Sequence, residues 1–428
     1  MQADSAGSVA TLPTAHPWRT VLAIGGAAAF LLFGYEFVRS VSTSLFIGAY
    51  GAKHLPVVMA LGPVGTILIV YMYGFLLSRL GPERALLATS AISAVVIVLC
   101  YVALRQGFAL AAGVLYVFRE AYIVVLVEQY WSFINSTFQT TEARKVNGPI
   151  TGLGSAGAVL GGLTVSLYAK QLGSETLLLF AAGSLIPAGI LSWLAYTSAG
   201  EPKPTPEEAG GRQGHLALGL FARSPYLIYL ACLIATTQVV STVLDLRFSG
   251  LVEAAMPLKD ARTAYLGGFY AKLNVASFLM QFMATPLLLR AVALPVLHGA
   301  IPLVHMVACL FLLFRPSLTS GALAYSVFKV LDYSVFRAAK EMFYIPLSFD
   351  ARYRAKSVID AFGYRFAKGG ASMLLGVAGK FFDKLPGALY PALALVASAV
   401  WLPLVLRLTL GRPPDNSAAL QQPRSKSE

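Results

Sequence analysis

Twelve runs of roughly twenty predominantly apolar residues follow one another along this chain, each long enough to cross a bilayer as a helix. They cover about 19–47, 54–79, 85–104, 108–136, 148–170, 176–197, 225–248, 263–289, 292–314, 318–346, 357–382 and 386–410. Inside a bilayer every backbone polar group needs a partner within the protein, which leaves helices or a closed barrel. The runs are continuous rather than alternating, so a barrel is excluded. Composition agrees: of 428 residues 57% are hydrophobic and 12% charged, against about 25% charged in a soluble protein. The fold class is an all-α polytopic membrane protein with twelve transmembrane helices.

The longest linker, 198–222, is rich in Pro, Gly and charge and divides the spans six and six. The expected domains are therefore a tail at 1–17, a six-helix bundle at 18–197, the linker, a second bundle at 223–412 and a tail at 413–428. Basic loop residues concentrate on one side, which carries Arg79, Arg84, Arg144, Lys145, Arg352, Arg354 and Lys356. By the positive-inside rule both termini are expected in the cytoplasm, and the protein in a bacterial inner membrane. The first apolar run is too long for a cleaved signal sequence and is expected to remain as span one.

The net charge of +13 does not point to nucleic acid, because the basic residues are scattered through loops and spans without a basic tract. Many of them sit where ionisable groups cost about 2.5–3.5 kcal/mol on insertion scales. The tenth span carries Lys329, Asp332, Arg337, Lys340 and Glu341, and the eleventh Arg365 and Lys368. Lys329 and Asp332 are three apart and Arg337 and Glu341 four apart, both neighbour distances on a helix. Span one holds Glu36 and Arg39, span four Arg119, Glu120 and Glu128, span seven Asp245, and span eight Lys272. In the second half the cations outnumber the acids, and an anionic substrate would relieve the excess. Arg39, Lys329, Lys340, Arg337, Lys272 and Arg365 are thus the candidate substrate-binding residues, since Arg and Lys grip phosphate and carboxylate. Glu36, Glu120, Glu128, Asp332 and Glu341 are candidates for pairing with them or for carrying a proton. The bland alternative is structural ion pairing for Glu36–Arg39 and Arg337–Glu341. Arg119 and Asp245 are expected near a membrane face.

Other signals carry less. Gly152-Leu-Gly154-Ser-Ala-Gly157 matches a dinucleotide fingerprint, but no strand precedes it, so it reads as a close helix-packing face. Gly369 and Gly370 are expected to do the same for span eleven. Cys100, Cys232 and Cys309 lack disulfide or zinc spacing. No catalytic residues, metal or cofactor are expected, and no loop of the form G-x-x-x-x-G-K-[ST] is present to hydrolyse ATP.

The two halves echo each other. Val41-Ser42-Thr43 in span one returns as Val240-Ser241-Thr242 in span seven, and Glu120 stands to Arg144 as Asp332 stands to Lys356. With the six-plus-six division this suggests a duplicated, major facilitator-like bundle. The loop Gly74-Phe-Leu-Leu-Ser78-Arg79-Leu-Gly81 resembles that superfamily's G-x-L-x-D-R-x-G pattern, with Ser78 in place of the Asp.

Four stretches resemble the ATP/ADP translocase-type nucleotide transporters of plastids and intracellular bacteria. They are 34–56, with Arg39, Gly51, Ala52 and Pro56 in the family places, 119–162, 241–248 (STVLDLRF) and 336–370. The resemblance implies a major facilitator-like fold in which spans one, four, seven and ten line a central cavity, and exchange of nucleotides across the inner membrane. Glu120 resembles the family's span-four acid, whereas Ser42 stands where the family carries a functional Lys.

Three functions remain open. The first is a secondary transporter of a phosphorylated anion, a nucleotide such as ATP or ADP, working by alternating access. The second is a proton-coupled transporter of another metabolite. The third is a transport-dead receptor on the same fold. Enzyme activity and nucleic-acid partners are not expected; the partners are the anion, membrane lipids and a co-transported proton, and the fold's default state is a monomer.

Overall fold

The computed structural model describes residues 17–138, 140–200, 224–344, 347, 359, 363–382 and 385–410, with backbone alone for 140–144. Both tails, the body of the linker and the basic loop with Arg352, Arg354 and Lys356 lie outside the described residues. The described residues are helical almost throughout: α1 (Pro17–Tyr50), α2 (Leu55–Ala60), α3 (Gly62–Arg105), α4 (Leu110–Thr137), α5 (Thr140–Leu172), α6 (Leu177–Ala199), α7 (Pro225–Ala255), α8 (Lys259–Leu279), α9 (Thr285–Ala291), α10 (Leu294–Phe314), α11 (Leu318–Leu331), α12 (Arg337–Met342), α13 (Tyr364–Phe381) and α14 (Leu389–Leu410). Nine of the described helices are long and apolar enough to cross a membrane, counting α8 and α9 as one. Helix α3 is two spans in one. At Gly81 the backbone swings to φ 77°, a region open to glycine, and Pro82 starts the next span. The tenth and eleventh spans complete the twelve; they fall short of the apolar measure because of the charges they carry.

Two spans are interrupted by π-helical turns, at Met280–Ala284 between α8 and α9 and at Asp332–Phe336 between α11 and α12. The first has a local cause. Pro286 lacks an N–H, and Thr285 donates its hydroxyl to the Met280 carbonyl at 2.9 Å. In the second, Ser334 donates to the Val330 carbonyl at 2.5 Å. The two π turns pack on each other.

The helices group into two compact units, Met1–Ser42 with Thr66–Gly210, and Thr43–Gly65 with Gly211–Glu428. In the first unit α1 and α5 approach closely through small residues. A Cβ at Gly157 would fall on the Ala29 carbonyl, and one at Gly161 on the Phe33 carbonyl, one turn along. The glycine-rich run is therefore a helix-packing face. Cys100 is buried in this unit.

In the second unit the end of α1 is tied down by a buried arginine. Arg262 of α8, 2% exposed, donates from Nη2 to the Ser44 carbonyl at 2.9 Å and from Nε to Ser44 Oγ at 3.2 Å. Ser44 in turn donates to the Lys259 carbonyl at 2.7 Å, and the Ala52 amide donates to Glu253 at 3.1 Å. Helix α2 packs on α13, where Gly376 meets Pro56 and Val57, and Gly369 meets Pro63 at the start of α3; Gly370, expected to behave alike, faces open space. The core of this unit is aromatic. His298 stacks on Phe343 and His305 lies against Phe328 and Trp401.

The small-residue seam gives a direct test. Gly157→Val should destabilise the protein by more than the about 1–3 kcal/mol usual for overpacking, because the clash is with backbone. Gly152→Ala, where no atom lies within 4 Å, should not destabilise and should gain up to about 1 kcal/mol from helix propensity. Melting temperatures of the two variants in detergent check this.

Candidate functional site

In the first unit, four ionisable groups from α1 and α4 meet. Glu36 and Arg39 lie one turn apart on α1, 2% and 9% exposed, with Arg39 Nη1 3.5 Å from Glu36 Oε1. From α4, Arg119 pairs with Glu120 at 3.3 Å through both Nε and Nη2. Its Nη1 donates to the Arg39 carbonyl at 2.8 Å and to Ser42 Oγ at 3.0 Å. The guanidinium also lies 3.9 Å from the centre of the Tyr116 ring. Tyr35 and Tyr122 close the group, their rings 6.4 Å apart, with Tyr35 within electrostatic range of Arg39, Glu120, Arg119 and Glu36.

Arg119, expected near a membrane face, is 5% exposed within the unit. Its adjacency to Glu120 was visible in the sequence; its reach to the α1 backbone was not, because that depends on how α4 packs on α1.

In the second unit, the charges of span ten gather around one acid. Asp332 lies within electrostatic range of Lys329, Lys340 and Arg337. Lys329 donates from Nζ to Ser241 Oγ on α7 at 2.9 Å and lies 5.3 Å from the centre of the Tyr333 ring. Lys340 is 4% exposed, between the rings of Tyr344 and Tyr364 at 6.0 and 5.2 Å. The π turn shapes this group. One extra residue in a turn re-aims everything after it by about 100° relative to a regular helix. Arg337, Lys340 and Glu341 therefore face differently from what an unbroken helix through Lys329 would give. Arg337 and Glu341 are exposed while Lys340 is buried.

The remaining candidates are more open. Lys272 and Glu128 are exposed, with Glu128 in electrostatic range of Tyr73, and Arg365 and Asp245 are half-buried. Among the described residues no group of three or more His, Cys, Asp or Glu is arranged to hold a metal. The arrangement offers cations beside carboxylates in each unit, which is suited to exchange a carboxylate partner for a bound anion.

Comparison with known proteins bears on which anion. Residues 299–405, running from α10 through the charged span ten to α14, match the TLC ATP/ADP transporter family model. The chain is 27% identical over 297 residues to ADP,ATP carrier protein 1, chloroplastic, of Arabidopsis thaliana, covering 60% of this chain and 47% of that one. It is 23% identical over 357 residues to ADP,ATP carrier protein 1 of Chlamydia trachomatis, covering 72% and 66%. The chain is thus similar to ATP/ADP transporters in its second half and, more distantly, over most of its length. It spans about half the length of the plastid relative and about two thirds of the chlamydial one. The fold is that of major facilitator-type transporters. The POT family transporter PepTSo superposes with a TM-score of 0.66 at 12% identity, covering 92% of this chain and 99% of that one. Ser42, at the α1 position discussed above, accepts from Arg119 Nη1.

If Asp332 holds the span-ten cations, Asp332→Asn should lower the melting temperature of the ligand-free protein. The loss should be a fraction of the about 3–5 kcal/mol of a fully buried pair, since Asp332 is only half-buried. Added sulfate should restore the variant more than it stabilises the parent. An unchanged melting temperature would mean that the three cations do not depend on Asp332.

Proposed function

We propose that this integral membrane protein is a secondary transporter that moves a phosphorylated anion, a nucleotide of the ATP/ADP type, across a bacterial inner membrane by exchange. The observation that carries the reading is that Lys329, Lys340 and Arg337 all lie within electrostatic range of the Asp332 carboxylate in span ten. Phosphate oxygens are suited to take the place of that carboxylate as partners of these cations. The names of the two relatives, both ADP,ATP carrier proteins, support a nucleotide over other phosphorylated anions. In this reading Lys329, Lys340, Arg337, Arg39, Lys272 and Arg365 bind substrate. Glu36, Glu120, Glu128, Asp332 and Glu341 hold those cations when no substrate is bound, or carry a proton. The excess of basic residues on one set of loops supports cytoplasmic termini. The chain works as a monomer in lipid, as a carrier rather than as an enzyme.

The test is thermal stabilisation of the purified protein by ATP, ADP, inorganic phosphate, a sugar phosphate, adenosine and a neutral sugar. A ligand at a hundred times its Kd adds about 2.7 kcal/mol of apparent stability. ATP and ADP should raise the melting temperature and adenosine should not, and exchange of labelled nucleotide in liposomes should follow. Lys340→Ala should fold normally and lose most of the stabilisation. A response to none of the phosphorylated compounds would sink the nucleotide reading and leave a proton-coupled carrier of another metabolite, to be sought by pH dependence.

A further inference from the structure

The two Val-Ser-Thr triplets are used alike. In the first unit Arg119, on the fourth helix, donates to Ser42 Oγ on the first at 3.0 Å. In the second unit Lys329, on the span equivalent to the fourth, donates to Ser241 Oγ on the span equivalent to the first at 2.9 Å. Both serines are buried. Both cations lie over aromatic rings, Arg119 on Tyr116 and Lys329 between Tyr325 and Tyr333. Both have an acid beside them on their own helix, Glu120 and Asp332. Matching Glu120 to Asp332 places Arg119 against Leu331, two positions from Lys329, so what the halves share is the contact and not the register.

A serine hydroxyl is a particular kind of partner for a buried cation. It satisfies a donor but brings no charge, so the cation keeps its attraction for an anion. The hydroxyl can also rotate and donate to the anion once the cation has moved. An aromatic face beneath the cation stabilises it without competing for its hydrogen bonds. Chance would place one such arrangement in a membrane protein readily; the same one on corresponding helices of both units, built on the same triplet, points to a shared task.

We propose that Arg119 is a substrate-binding residue, the first unit's counterpart of Lys329, and that Ser42 and Ser241 are the resting partners these cations leave when a phosphate group binds. This rests on the reading of the protein as a carrier of phosphorylated anions. Arg119 offers a planar fork and Lys329 a single point charge, so Arg119 takes its phosphate oxygens in pairs and is the stricter of the two.

Calorimetric titration of the purified protein with ATP, inorganic pyrophosphate and adenosine tests this in the parent and in Arg119→Gln, Arg119→Lys, Lys329→Gln, Ser42→Ala and Ser241→Ala. Arg119→Gln should weaken ATP and pyrophosphate by about tenfold or more, the loss expected for a charge-assisted hydrogen bond. Arg119→Lys, which keeps the charge and serves if the Gln variant does not fold, should bind with a loss intermediate between Gln and parent. Ser42→Ala and Ser241→Ala should both tighten pyrophosphate, by about threefold, because each removes a competitor for its cation. If Lys329→Gln loses ATP while both Arg119 variants bind it like the parent, Arg119 is structural and the proposal is overturned with the carrier reading intact. If the serine variants weaken binding instead, the resting-partner role is overturned. If the parent binds neither ATP nor pyrophosphate, the carrier reading and the proposal fall together.

Discussion

A guanidinium has five donors and no acceptor, and away from water every donor needs an oxygen. Helix α1 supplies such oxygens between Arg39 and Ser44. In a regular helix each carbonyl accepts one backbone bond and keeps a second lone pair. Arg119 takes the second lone pair of Arg39 within the first unit, and Arg262 that of Ser44 within the second. The adjacent hydroxyls of Ser42 and Ser44 accept the neighbouring donors. Without these serines each of two nearly fully buried arginines would keep its carbonyl partner but leave one donor unsatisfied, which costs about 1–3 kcal/mol. The run Ser40-Val41-Ser42-Thr43-Ser44, which looks merely small and polar on paper, is what allows α1 to be approached by cations at two places.

The same economy of oxygens governs the packing elsewhere. Apolar side chains gain little from leaving lipid for one another, so helices in a bilayer adhere by close backbone approach and by hydrogen bonds. Gly157 and Gly161 provide the first against α1. Ser192 with Tyr130, and Thr89 with Gln129, provide the second within the first unit. In the second unit large rings take over, with Phe248, Phe269 and Tyr325 stacked together. This is a denser but less backbone-intimate way of filling the same space.

The π turn at Asp332–Phe336 joins the packing to the chemistry. π turns are rare and concentrate at functional sites, because they spend a regular hydrogen bond to re-aim side chains. Here the turn begins at the acid itself. It separates Lys329, which reaches α7, from Lys340, which reaches the aromatic rings of Tyr344 and Tyr364. One span thereby presents cations in two directions on either side of Asp332.

The sequence by itself determined the membrane class, the number of spans and which spans carry charge, because hydrocarbon imposes length and apolarity on every crossing segment. It also marked Glu36 with Arg39, Lys329 with Asp332, and the paired Val-Ser-Thr triplets, since helical spacing is a local property. What it left open was decided by tertiary structure. Arg119 and Arg262 looked like residues near the ends of spans, and only the packing of α4 and α8 shows that they reach the backbone of α1. The spacing of Arg337 and Glu341 promised neighbours on one helix; the π turn before them sets how that helix is rotated relative to Lys329, and packing then buries Lys340 while Arg337 and Glu341 stay exposed. Local pattern tells which residues share a helix face, but which face meets a partner, and whether the helix stays regular until then, depends on neighbours distant in the chain.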